Sequence, residues 1–198
     1  MVRCQIPKLD EHQKNTILQA TAILISRAIR RHTLSSPDLG DMQNWQVDGV
    51  FVSLHKGKEL RSCCGMISGP HALPTCLERA AWRAACDDPR FTPVSSQEMP
   101  ELRLDIHLLH RWQPCEVATH SRAQAVSVGR HGLMVRQGPA AGLLLPAVGR
   151  EQGWDSVTFL QQACAKAGIA SNAWQASDCE LDLFEAWEIG SAMKLFLP

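Results

Sequence analysis

The chain has 198 residues, 45% of them apolar, with 20 basic residues balanced by 20 acidic ones. A chain of this length buries about 70% of its unfolded surface, enough for a core without disulfide or metal staples. The charge balance gives no bulk field for nucleic acid or anionic membrane, and no apolar run approaches the ~20 residues of a spanning helix. The opening "MVRCQIPKLDEHQK" lacks the apolar centre of a secretory signal, so a cytoplasmic protein is expected, without nucleic-acid or membrane partners.

Residues 11–31 read as a helix, with Ile17, Thr21, Leu24 and Ala28 on one stripe and Arg27, Arg30 and Arg31 at the negative end of its dipole. Residues 32–49, rich in turn formers, read as a long loop. "GVFVSL" (49–54) and "LRSCCGMI" (60–67) read as a hairpin across the polar turn "HKGKE". A second helix covers 71–88, its apolar side formed by Leu73, Leu77, Ala80, Ala81 and Ala84, and Pro89 ends it. In "LRLDIHLL" (102–109), Leu102, Leu104, Ile106 and Leu108 alternate with Arg103, Asp105 and His107, as in a strand whose polar face meets solvent or lines a cleft. "HGLMV" and "AGLLL" predict another hairpin. Residues 153–168 predict a helix capped by Asp155, stapled by Trp154 and Phe159, and terminated at Gly168. "CELDLFEAWEI" (179–189) closes the series as a strand. Helices and hairpins interleave without βαβ spacing, which predicts an α+β fold with a mostly antiparallel sheet flanked by helices.

The eight cysteines (Cys4, Cys63, Cys64, Cys76, Cys86, Cys115, Cys164 and Cys179) form no CxxC pair. His107 and His110 alone approach ligand spacing, with His107 on the strand and His110 beyond it. No metal site and no cofactor is expected, and most of these thiols read as small core residues. The adjacent Cys63 and Cys64 pose a sharper question. On a strand they face opposite ways: Arg61 and Cys63 share one face, Leu60, Ser62 and Cys64 the other. A guanidinium beside a thiol favours the nucleophilic thiolate, and Gly65 lets a ligand or backbone approach closely. Against this, Cys63 reads equally well as one more small core residue. A catalytic thiol needs a base, for which His107, sharing its face with Asp105, and His131 are the candidates. No nucleophile elbow, phosphate-binding glycine loop or dinucleotide fingerprint is present.

"LRSCCG" (60–65) resembles the LRGCIG hexapeptide of the AMMECR domain. "DPRFTP" (88–93), "HGL" (131–133), "GLLLP" (142–146), "GWD" (153–155) and "CAKAG" (164–168) follow in that family's order. The resemblance spans about residues 12–190, taken as a single AMMECR-like domain. Ser62 stands where the hexapeptide has its second glycine, and Cys64 where it has isoleucine, whereas Cys63 matches its cysteine. The resemblance implies an α+β domain with a smaller second lobe and a cleft near the hexapeptide. It implies no established activity. It also implies the company of Memo-like and radical SAM proteins, as in component A of the AmmeMemoRadiSam system.

Two functions follow as expectations. In the first, the chain is a thiol-dependent enzyme or enzyme subunit. Cys63 is nucleophile or thiol donor, His107 or Asp105 handles protons, and Arg61, Ser62, Gly65, Arg90 and His131 serve binding. In the second, it is a non-catalytic ligand- or protein-binding scaffold, in which Arg90 pairs with a helix C-terminus and Phe91 enters the core.

Overall fold

Asp10 starts the first helix, α1 (Glu11–Ile29), through a reciprocal box: its carboxylate accepts the Gln13 N–H at 2.8 Å, and the Gln13 side chain accepts the Asp10 N–H at 3.2 Å. The computed structural model describes residues 6–33 and 35–196; Cys4 lies outside them. The predicted stripe of Ile17, Thr21, Leu24 and Ala28 is buried, and the Thr21 hydroxyl is satisfied by the Ile17 carbonyl at 2.8 Å.

A 3-10 turn at Gly40–Met42 interrupts the expected loop, and β1 (Gln46–Lys56) begins three residues before Gly49. Gly49 sits inside the strand because a Cβ there would come within 2.5 Å of the Met66 carbonyl oxygen of the neighbouring strand, so the two backbones run close together at that point. A two-residue turn, with Gly57 at φ +60°, leads into β2 (Glu59–Ala72). β2 runs well past Ile67, through Gly69 and Pro70, which an edge strand tolerates. Helix α2 (Leu73–Cys86) follows, with proline in its first turn. β3 (Leu102–Pro114) extends beyond the expected Leu109, so His110 lies within the strand and not after it.

After the short helix α3 (Arg122–Ala125) come β4 (Gly132–Gln137) and β5 (Ala140–Leu144), a hairpin as expected. The six-residue α4 (Pro146–Glu151), with proline at its start, was not anticipated. The next helix, α5 (Ser156–Ala167), carries its predicted signals. Asp155 accepts the Thr158 N–H at 2.7 Å, Trp154 and Phe159 rings lie 6.3 Å apart, and Gly168 takes φ +74°. β6 (Glu180–Ala192) is the last strand.

The chain divides into two compact units, the smaller formed by His110–Ala186. In the larger unit the strand order is β2-β1-β3-β6, with α2 packed on β1 and β2 and α1 packed on α2. Its core includes Val50, Val52, Leu54, Leu104 and Ile106 from the sheet, Leu73, Leu77 and Ala81 from α2, and Ile17, Leu24 and Ile25 from α1. In the smaller unit the order is β3-β6-β4-β5, with α5 on β4 and β5 over a core of Leu133, Val135, Phe159, Leu160 and Leu183. The pairings β1–β2, β1–β3, β4–β5 and β4–β6 are all antiparallel, so the fold is α+β with an antiparallel sheet. No described helix is long and apolar enough to cross a membrane.

Candidate functional site

The short hairpin turn fixes the register that builds the site. Ser53 of β1 stands directly opposite Cys63 of β2 on one side and Asp105 of β3 on the other. Residues paired across antiparallel strands share a face, so Cys63, Ser53 and Asp105 form a row across three strands. The Ser53 hydroxyl donates to the Cys63 sulfur at 3.2 Å. Cys63 is half-buried, whereas Cys64 pairs with Val52, faces the core and is 7% exposed. Burial, with the Asp88 carboxylate nearby, pushes the Cys64 thiol up to about 11.

Asp105 is the most connected group of the row. It accepts the Arg103 Nε–H at 2.9 Å, and His55 Nδ1 lies 3.1 Å from its other oxygen. A Cβ on Gly190 of β6 would collide with this carboxylate, so the glycine is what makes room for it. His107 lies two residues further along the same face and is buried at 7% exposure, as Asp105 is at 8%. The face read from sequence as solvent or cleft is therefore covered at these two positions, while Arg103 is exposed.

Arg61 departs from simple alternation. The pairing slips between Leu54 and His55, so that Ser62 opposes Leu54 while Leu60 opposes His55, and Arg61 is the extra residue of a bulge. Leu60 consequently shares a face with His55 and Cys63, not with Ser62 and Cys64. The Arg61 guanidinium is engaged by Glu98, through Nε at 2.8 Å and Nη2 at 3.0 Å, and by the Pro93 carbonyl at 3.3 Å. This fork holds the Glu98 carboxyl below its ordinary value.

Asp88 and Arg90, from "DPRF", clamp the outer edge of β2. The Asp88 carboxylate accepts the Cys63 N–H at 2.9 Å, and Arg90 Nη2 donates to the Cys63 carbonyl at 2.8 Å. These two bonds are the pair that a further strand would exchange with Cys63. Arg90 also donates Nε and Nη2 to Asp88 at 2.9 and 2.8 Å, and its guanidinium lies 5.4 Å from the Phe91 ring centre. Arg90 thus pairs with a carboxylate, and Phe91 is half-buried. Arg83 of α2 caps the next outward carbonyl, that of Gly65, at 2.9 Å. What approaches Gly65 closely is the Phe51 ring and the Val50 carbonyl, each 2.5 Å from where a Cβ would stand.

Ser62, 1% exposed, serves the end of α2. The last carbonyls of a helix lack intrahelical partners. Here the Asp87 N–H takes that of Arg83, the Val94 N–H takes that of Ala85, and the Ser62 hydroxyl takes that of Ala84 at 2.6 Å. Ser62→Gly, which restores the hexapeptide glycine, is expected to cost about 1–2 kcal/mol in urea denaturation, because it strands the Ala84 carbonyl.

His131 lies in the smaller unit, with Nδ1 accepting the Ser127 N–H at 3.1 Å. Burial and the Arg130 charge lower its pKa. The structure thus places Cys63 and Asp105 in one row with His107 beside it, and puts Ser62, Arg61 and Arg90 to work on helix end, loop and strand edge. Sequence reasoning missed Ser53, His55 and Asp88. The signal for the first two was present: the alternation that makes Phe51 face one way carries Ser53 and His55 with it. The seven described cysteines are all free thiols, and no group of three or more His, Cys, Asp or Glu residues among the described residues is arranged to hold a metal.

Residues 12–189 match the family model described as AMMECR1. A protein from Aeropyrum pernix is 40% identical over 141 residues, covering 69% of this chain and 61% of that one, so the match leaves over a third of that relative unaccounted for. A protein from Methanopyrus kandleri is 41% identical over 142 residues, covering 70% of this chain and 69% of its own. The crystal structure of an uncharacterized protein from Pyrococcus horikoshii superposes with a TM-score of 0.83 at 31% identity, covering 92% of this chain and 93% of that one.

Proposed function

This chain belongs to the AMMECR1 family, and from that premise we propose that it is a thiol-dependent enzyme or enzyme subunit whose reactive group is Cys63. The observation that carries this reading is the contrast between the adjacent cysteines. One sulfur is half-exposed, receives a hydroxyl donor and shares its face with Asp105 and His107; the other is in the core. A hydroxyl donating to sulfur stabilises the thiolate, the form that attacks carbon or sulfur electrophiles. Residues 12–190 act as one AMMECR-like domain, a span supported by the family match over 12–189. The resemblance further suggests a cytoplasmic role alongside Memo-like and radical SAM proteins, with the substrate a small molecule or a protein side chain.

Alkylation of the native protein with iodoacetamide at neutral pH, followed by peptide mass mapping, is expected to modify Cys63 first, at least tenfold faster than half-buried Cys86 and Cys115. Uniform slow labelling would remove the thiol reading. It would leave the scaffold reading, which the Asp88–Arg90 clamp favours: that clamp closes the β2 edge as architecture whatever the sulfur does. Co-purification of a Cys63→Ser variant with Memo-like and radical SAM proteins checks the partners separately from the chemistry.

A further inference from the structure

We propose that His55 takes the proton of the Cys63 thiol and that Asp105 positions His55 for that task, an inference that rests on the thiol reading above. Neither His55 nor its pairing is visible in the motifs that carry the family resemblance. His55 follows Ser53 by two residues on β1, so both side chains emerge on the face of Cys63. Cys63 opposes Ser53, which makes His55 its diagonal neighbour across the hairpin, at a backbone spacing of about 7–8 Å. An imidazole and one intervening water or substrate atom span that gap.

The imidazole is oriented. An ionised carboxylate only accepts, so the neutral imidazole that this role requires carries its hydrogen on Nδ1, facing Asp105, and offers Nε2 as the acceptor. The His55 side chain is 30% exposed and that of Asp105 12%, so a held acid sits behind a reachable base. Arg103, directly opposite His55 on β3, points its guanidinium at the same carboxylate, and Gly190 of β6 leaves the space that this carboxylate fills. Leu60, opposite His55 on β2, adds no charge. Lys56, the next residue, is turned to Glu101 at 2.8 Å. His107, the base expected from the sequence, lies beyond Asp105, on the far side from His55 along β3 and two strands from Cys63.

In the step that follows, the S–H bond of Cys63 breaks and its proton passes to His55 Nε2. The sulfur electron pair then bonds to an electrophilic carbon of an acyl or alkyl donor, whose leaving group departs with its bonding pair. With iodoacetamide as donor, an S–C bond forms and iodide leaves.

The test is the rate of Cys63 alkylation by iodoacetamide in wild type, His55→Gln, Asp105→Asn and His107→Gln, at pH 7 and at about pH 10. At pH 7 the His55→Gln rate is expected to fall about tenfold, and to fall further than that of His107→Gln. At about pH 10, where thiols ionise unaided, all variants converge. Asp105→Asn is expected to slow the reaction and to shift the His55 tautomer, read from ring 15N resonances, which a merely structural role would not move. Buried Cys76 of α2, in the unit that holds the row, reports an intact fold by remaining unlabelled, and His55→Asn serves should His55→Gln fail that check. A Cys63 that labels quickly but equally in wild type and His55→Gln overturns the pairing and spares the thiol reading. A wild-type Cys63 no faster than Cys86 overturns both.

Discussion

Replacing Asp88 with alanine is expected to cost about 3–4 kcal/mol, measured by urea denaturation, and to do so from a residue outside the hydrophobic core. Its side chain is 3% exposed and accepts from the Cys63 N–H, the Arg90 N–H, and the Arg90 Nε and Nη2. Alanine leaves the Cys63 N–H without its acceptor and frees Arg90 from its place on the strand edge. Each stranded donor costs about 1–3 kcal/mol, but partial access of water to the half-exposed Arg90 keeps the sum below the simple total. Arg90→Met removes the more exposed partner but leaves the 3%-exposed carboxylate without its cation, and is expected to cost about 2–3 kcal/mol.

The same carboxylate sets a pH dependence. The Arg90 guanidinium first, then the Cys63 and Arg90 N–H groups, hold Asp88 well below the usual carboxylate range against the opposing effect of burial. The folded form therefore binds fewer protons than the unfolded chain below about pH 4. The stabilisation is complete above the unfolded value and is lost as pH falls from there toward the depressed folded value. Asp88→Asn should flatten the acid limb of the stability–pH curve while also lowering its plateau. An unchanged acid limb would mean that the carboxylate is not the proton-linked group.

The elements whose signals were local were legible in the sequence. The Asp155 cap, the Trp154–Phe159 staple and Gly168 all depend on residues within a few positions of one another, and each is in place. The stripe of α1 and the core face of β3 follow from periodicity alone. The departures arise where a distant backbone decides. β1 begins early, with Gly49, a breaker in isolation, inside the strand, because the Met66 carbonyl of the neighbouring strand leaves no room for a Cβ there. Arg61 leaves its expected face because a bulge absorbs one residue near the turn, and no local pattern announces which residue that is. Asp88 looked like the end of a helix, since the strand N–H that it accepts, that of Cys63, is 25 residues earlier in the chain. Likewise, the alternation of β3 placed Asp105 and His107 together but could not say that β1 would bring His55, and not His107, to the carboxylate.

Gly142→Ala is expected to be about as damaging as loss of Asp88, for a reason unrelated to hydrogen bonding. Gly142 lies in the middle of β5, opposite Val135, where α5 crosses the strand. A Cβ at this point would stand 2.6 Å from the Ala163 carbonyl oxygen, 2.6 Å from the Ala167 nitrogen and 3.0 Å from its Cα. All three are main-chain atoms of the helix, so no rotamer change gives way. Either α5 moves off the sheet or β5 leaves its register with β4, and each uncovers part of the core around Leu133, Val135, Leu160 and Ala163. Overpacking of this kind costs about 3 kcal/mol, which for a chain of this length lowers the melting temperature by about 6–12 °C. The double variant Gly142→Ala with Ala163→Gly separates the causes. Trimming the Ala163 side chain leaves its carbonyl in place, so no recovery is expected. Recovery of stability in the double variant would show that the close approach is between side chains and that the helix does not rest on the strand's own backbone.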